Sequence, residues 1–402
     1  MSARVLRARW LLPIDRSPIE NGWVELARDR IVRLGAGRAP LPPEDLGDVA
    51  LLPGLVNAHT HLELSWLRGR VPQAGSMVEW IRGLLAVRAA GPDGGENAQV
   101  DATRCALQEM HDTGTVLAGD VTNSLATPVR LRERGMAAVV FHELLGFNVP
   151  GPIGLVREAW RRVDETKKDV HHADLSYSVV AHAPYSVSPA LFSEIARQRR
   201  SAPLAVHLGE SPEEVEFLRT GRGPFRDLLE SLGAWADDWR APECDPVEYL
   251  SRVGYLRSGL VAVHGVHLTD DSLLQLRNAG ATIVTCPRSN EWVGAGLPRL
   301  SHFYGCGLPV AMGTDSLAST ASLNMFDELA AARRIAPDVS AAGLLESATR
   351  RGARALGYGD EFGTLAPGKR AALVTVQVPA GVGDVEEYLV SGVPASSIRR
   401  AA

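Results

Sequence analysis

Eight short apolar, often β-branched runs alternate with longer amphipathic stretches between residues 54 and 365, and short alternating pieces flank them on both sides. Together these predict an α/β fold, a (β/α)8 TIM-like barrel carrying a small β-sandwich built from the N- and C-terminal segments. Residues 1–53 and 366–402 are assigned to the composite sandwich and residues 54–365 to the barrel. A doubly wound open sheet is the alternative assembly of the same βα units.

In chain order, Val5–Leu12, Gly22–Ala27 and Arg30–Leu34 alternate apolar and polar residues between turn signals, as small antiparallel strands do. The eight parallel-strand candidates are Leu55–Ala58, Thr115–Ala118, Ala137–Phe141, Tyr177–Val180, Pro203–Val206, Leu260–Val263, Ala281–Val284 and Pro309–Met312. Helical candidates between them include Val100–Thr113, Ser188–Arg199, Ser211–Gly221, Asp270–Ala279 and Leu323–Ile335. A further helix over Gly83–Glu96 is expected to run into a flexible Gly-Pro-Asp-Gly-Gly loop. Strand texture returns over Gly363–Val376 and near Val385–Val390.

Composition narrows the function classes. Apolar residues make up 45% and charged residues 22% of 402, as in ordinary globular chains. A net charge of −5 argues against a partner held by phosphate contacts, so no nucleic acid is expected. Four cysteines without a CxxC pair suit reduced thiols and a cytoplasmic protein. The opening residues are broken by charge and proline, so no signal peptide is expected, and no apolar run is long enough for a membrane span.

The chemistry gathers where the strands end. Strand one ends in His59-Thr60-His61, and two histidines at i and i+2 share one face of a strand. Strand four ends in His182, strand five in His207, strand six in His264 and strand eight in Asp315. Any one of these is explained as a satisfied core histidine; six on one rim are not. His59, His61, His207 and Asp315 supply three neutral nitrogens and one anionic oxygen, a donor set for Zn²⁺ or Fe²⁺ that leaves room for water. Such an ion brings the pKa of water near neutrality. Glu210, three residues after His207, is placed to shuttle a proton from that water, although a first-turn glutamate is also favoured by a helix dipole.

The ordered segments PGLVNAHTHLE, HAPYSVSP, VHLGE, VHGVHLTD, TCPRSN, GTDSLAS and GTLAPGKRAALV resemble the amidohydrolase superfamily. The likeness is to its branch of heterocycle deaminases and s-triazine chlorohydrolases. The resemblance implies that His59, His61, His207 and Asp315 hold one metal. It also implies that Glu210, His264 and Asp315 are catalytic, His264 orienting the attacking oxygen, and that His182 meets the substrate ring. Other branches bridge two metals with a carboxylated lysine. Here no lysine lies near a proposed strand end after Gly54, which leaves one ion per chain, Zn²⁺ or Fe²⁺.

Within that branch, HTHLELSWLRG and the stretch Phe141–Phe147 resemble aminodeoxyfutalosine deaminases of menaquinone biosynthesis, which remove the 6-amino group of an adenine nucleoside. Arg68 or Arg88 is then a candidate for a substrate carboxylate, and Glu143 lies in the second matching stretch. Trp66 either stacks on the base or lines the core, where Trp80 is placed. Arg288 and Asn290 either touch substrate or fix their loop. Cys286 is taken as a loop residue shaping the pocket, and His142 as facing the rim without a role. The expected partner is a small heterocyclic amine, with homodimerisation implied by the resemblance. S-adenosylhomocysteine, methylthioadenosine, guanine, cytosine and s-triazines are alternative substrates, and a non-catalytic metal-binding scaffold is the competing class. One departure is Ala372, where the closing motif of the family carries aspartate.

Overall fold

The terminal segments make one hydrogen-bonded sheet. In the computed structural model, which describes residues 3–92 and 94–401, its strands are β1 (Arg4–Leu11), β2 (Ile19–Ala27), β3 (Arg30–Gly35), β4 (Glu44–Asp45) and β5 (Val49–Pro53). From the other end of the chain come β14 (Leu373–Gln377) and β15 (Ile398–Arg400). The strand order is β15-β14-β5-β1-β2-β3, with β4 beside β1. Leu52 pairs with Val374 where the termini meet. Leu6, Leu11, Val24, Leu51 and Leu373 pack into an apolar cluster of this sheet's own.

Between the terminal strands lie β6 (Leu55–Thr60), β7 (Thr115–Thr122), β8 (Ala137–Leu144) and β9 (Leu175–Ala181), all parallel. A second parallel set follows: β10 (Ala205–Leu208), β11 (Val261–His264), β12 (Thr282–Thr285) and β13 (Val310–Met312). Nearly every residue of these eight strands is buried, the continuous apolar pattern of a parallel sheet covered on both faces. Each set is four-stranded, and one backbone hydrogen bond joins them at each margin. At one margin the His207 amide donates to the His182 carbonyl at 2.9 Å; at the other the Asp315 amide donates to the His59 carbonyl at 3.0 Å. Gly313 lets the chain pass there, because a Cβ would stand 2.7 Å from the His59 carbonyl oxygen.

Helices connect the strands near their expected positions, with two local differences. The helix expected over Gly83–Glu96 is Met77–Ala90, started by Ser76, whose hydroxyl accepts the Glu79 amide, and stopped by Gly91 at φ 71°. The next helix already begins at Gly95; Asp93, part of the expected Gly-Pro-Asp-Gly-Gly loop, lies outside the described residues. Val385–Val390 is a helix rather than a strand. Asp384 caps its Glu387 amide, and Val385, Leu389 and Val390 bury one helical stripe. No helix among the described residues is long and apolar enough to cross a membrane.

Candidate active site

Strand geometry brings the six expected strand-end groups together. His59 lies within β6, with His61 just past its end; His182 follows β9; His207 and His264 lie in β10 and β11; Asp315 follows β13. The His59 and His61 Nε2 atoms are 3.2 Å apart. Asp315 Oδ1 is 3.5 Å from His61 Nε2 and 3.8 Å from His59 Nε2. His207 Nδ1 lies 3.0 Å from His264 Nε2, and the His59 and His207 rings are 4.9 Å apart. Glu210 Oε2 stands 3.5 Å from His264 Nε2 and 3.8 Å from His207 Nδ1. His264 and Asp315 adopt left-handed backbone at φ 74° and 60°, costly for residues with a Cβ and a form of strain that gathers at functional sites.

The electrostatics of this cluster call for a cation. Burial holds His59 well below its ordinary pKa, and His264 is pushed down to about 3 by burial and by His207. His61 is lowered by burial, against the pull of Asp315 and Glu143. These imidazoles are thus neutral lone-pair donors facing one another. His207 goes the other way: burial lowers it, but Glu143, Glu210 and Asp315 outweigh that and raise it to about 9. Its buried Nε2 faces the Glu143 carboxylate at 3.4 Å. Neutral nitrogens ringed by carboxylates fit a divalent metal: His59, His61 and Asp315 bring ligand atoms within reach of one ion, and so do His59, His207 and His264.

Neighbouring side chains fix this set. Ser289 Oγ donates to Asp315 Oδ2 at 2.6 Å, and Asn290 Oδ1 lies 3.1 Å from His264 Nδ1. Asn290 thus supports His264 through its carbonyl oxygen. Asn290→Ala is expected to lower kcat roughly 10–100-fold by leaving a buried imidazole nitrogen unpaired, with metal content unchanged; steady-state kinetics and metal analysis check this.

Glu214 was not singled out from sequence. It lies on the helix Pro212–Thr220, and its buried carboxylate accepts the Gly209 amide at 2.9 Å and the Glu210 amide at 3.0 Å, holding the Glu210 backbone. Ser211 caps the same helix by accepting the Glu214 amide, so the Ser-Pro-Glu-Glu capping pattern was the available signal.

Glu143, not His142, turns to the site. Adjacent strand residues face opposite ways; His142 Nδ1 is 3.2 Å from the Thr122 carbonyl, while Glu143 Oε1 is 3.4 Å from His207 Nε2. Burial alone would raise the Glu143 carboxyl, but His182 and His207 hold it far below its ordinary range. His182 Nδ1 is 2.6 Å from Ser186 Oγ, and burial takes this imidazole down to about 4.

A cavity of about 410 Å³ opens above these groups. Its floor includes His61, His182, His207, Glu210 and Asp315; its walls are largely apolar, with Trp80, Phe147 and the Tyr185–Phe225 pair stacked at 3.9 Å. Arg88 also lines it, from the last turn of the helix Met77–Ala90. Three expected substrate residues lie elsewhere. Arg68 pairs with Glu109, and Trp66 packs in a separate apolar cluster with Arg70 over its ring. Arg288 is committed to Glu328 at 2.7 Å and to the Ser322 hydroxyl and carbonyl. Cys286 is fully buried beneath the site, where burial pushes its thiol up.

Parallel strands whose ends carry imidazoles and carboxylates around an apolar cavity define a metal-dependent hydrolase. The chain belongs to the amidohydrolase family, whose sequence profile matches residues 50–394. Among its relatives, the aminodeoxyfutalosine deaminase of Deinococcus radiodurans is 29% identical over 331 residues, 79% of this chain and 76% of that one. The 5-methylthioadenosine/S-adenosylhomocysteine deaminase of Syntrophobacter fumaroxidans is 32% identical over 349 residues, 83% and 73% of the two chains. In three dimensions the chain resembles a zinc-bound adenosine deaminase from Xanthomonas campestris, with a TM-score of 0.80, 26% identity, and 98% and 90% of the chains covered. Helicobacter pylori aminofutalosine deaminase shares the fold at a TM-score of 0.82 and 24% identity, covering 96% and 95%. With these relatives and this site, the chain is a metal-dependent aminohydrolase.

Proposed function

We propose that the chain is a hydrolytic deaminase holding one Zn²⁺, that it removes the 6-amino group of an adenine nucleoside, and that aminodeoxyfutalosine is this nucleoside. The observation that carries the deaminase reading is Glu210, a buried carboxyl 3.5 Å from His264 at the floor of an apolar cavity. A metal site that only braces the fold has no use for such a group.

The ion, when bound by His59, His61, His207 and Asp315, lowers the pKa of water beside it. Glu210 takes the proton and delivers it to the ring nitrogen next to the amino-bearing carbon; burial raises its carboxyl to about 8, which makes it a strong enough base to accept that proton and carry it across. His264, held by Asn290, orients the incoming oxygen. Asp315 receives the second proton and passes it to the departing amine. One water is consumed, the C–N bond breaks, and ammonia and a 6-oxo nucleoside leave.

The substrate reading is supported by Arg88. Among the cavity-lining residues it is the one lysine or arginine, and it has no acidic partner among the described residues. An aryl carboxylate carried on the ribose suits an apolar wall ending in a guanidinium; a methylthio group would leave Arg88 unused. Loss of the adenine absorbance, followed for aminodeoxyfutalosine and 5-methylthioadenosine side by side, tests this. Arg88→Gln is expected to cut kcat/KM for aminodeoxyfutalosine about 10–100-fold, the worth of one charged hydrogen bond, and to change methylthioadenosine less than about threefold. Equal losses for both substrates contradict it.

The two parallel sheets are read as halves of one closed (β/α)8 barrel, residues 54–365, joined through the His182–His207 and His59–Asp315 bonds. The terminal sheet, folded over its own apolar cluster, is read as the sandwich of residues 1–53 and 366–402.

A further inference from the structure

Glu63 closes the His-Thr-His-Leu-Glu motif, yet no step above uses it. It lies in the 3-10 helix Leu62–Leu67 just after β6, and its carboxylate is spent on the loop after β7. Oε1 accepts the Asn123 amide at 2.9 Å; Oε2 accepts the Thr122 hydroxyl at 2.6 Å, the Ser124 hydroxyl at 2.6 Å and the Ser124 amide at 3.2 Å. That loop presents Asn123, whose Nδ2 donates to both the Glu143 carboxylate at 3.1 Å and the Glu143 carbonyl at 3.1 Å. Glu143 in turn stands 3.4 Å from His207, and both Asn123 and Glu143 line the cavity.

We propose that Glu63 is a positioning residue that acts through Asn123 to set the Glu143 carboxylate in the cavity wall, where it receives a hydroxyl donor of the substrate. The inference rests on the deaminase reading above for its kinetic arm only. A carboxylate at position 63 is required because all four groups facing it are donors. A glutamine there turns its own N–H toward at least one of them, so the loop loses a tether without a change of volume. Glu143 faces the cavity and has carboxylate oxygens to offer, which suits the hydroxyl groups of a ribose. Its other neighbours, His182 and His207, are fixed by their own strands, so Asn123 is the partner through which a loop movement reaches it.

The test is a double-mutant cycle of Glu63→Gln and Glu143→Gln, read by kinetics and by amide hydrogen exchange of the segment 122–125. Glu63→Gln alone is expected to raise KM about tenfold with kcat changed less than about threefold, and to speed exchange at Asn123 and Ser124. In the double variant KM is expected to be no higher than in Glu143→Gln alone, because one residue acts through the other. A merely structural Glu63 would lower Tm and multiply its effect onto that of Glu143→Gln, which overturns the proposal. Unchanged exchange at Asn123 and Ser124 overturns it as well. A wild-type protein that binds zinc but deaminates nothing refutes the deaminase reading, and the proposal falls with it only if exchange is also unchanged.

Discussion

Glu210→Gln keeps its metal and loses turnover by about 10²–10⁴-fold, the range general acid–base catalysis contributes. The substitution keeps shape, and the backbone at this position is held from below by Glu214, which accepts the Gly209 and Glu210 amides whatever the side chain at 210 carries. What is lost is the ability to exchange a proton in the floor of the cavity, 3.5 Å from His264. KM and zinc content are therefore expected to stay within about threefold of wild type, since an amide binds and packs much as the acid does. Metal analysis with steady-state kinetics checks both halves. A variant that turns over normally would place the proton transfer on another group, with His264 the nearest.

Asp315→Asn acts on the metal instead. Its Oδ1 faces His61 and His59, while Oδ2 takes the Ser289 hydroxyl, so the carboxylate is oriented with one oxygen free for an ion. The amide keeps the hydrogen bond but removes the one anionic donor of the set. Zinc affinity is expected to fall at least about 100-fold, beyond what loss of an outer partner costs, and turnover with it. Ser289→Ala, which removes only the support, is expected to cost about tenfold in affinity. Competition with a chromogenic chelator measures both, and equal affinities in wild type and Asp315→Asn would remove this residue from the ligand set.

The strand-end groups were legible because parallel strands are buried on both faces and read as unbroken apolar runs, so a histidine closing one stands out. What escaped was of three kinds. Strand parity separates His142 from Glu143: both close the strand, but alternation sends the imidazole to the opposite face from the carboxylate. Val385–Val390 carries apolar residues that fit a strand, and the decisive signal was the Asp384 cap with buried Val385, Leu389 and Val390 one turn apart. Arg288 and Arg68 found carboxylates 40 and 41 residues away, in Glu328 and Glu109, and no local pattern announces a pairing at that distance. Arg88, on the last turn of its helix, was separable from the other arginines only once the cavity was in view.

Ammonia release by metal-stripped and zinc-reloaded protein, offered adenosine, 5-methylthioadenosine, S-adenosylhomocysteine, aminodeoxyfutalosine, guanine and cytosine, bears on the whole scheme at once. The site predicts silence without metal, recovery as zinc approaches one ion per chain, and a clear preference for aminodeoxyfutalosine. Zinc bound at one ion per chain with no ammonia from any of these amines would contradict the account.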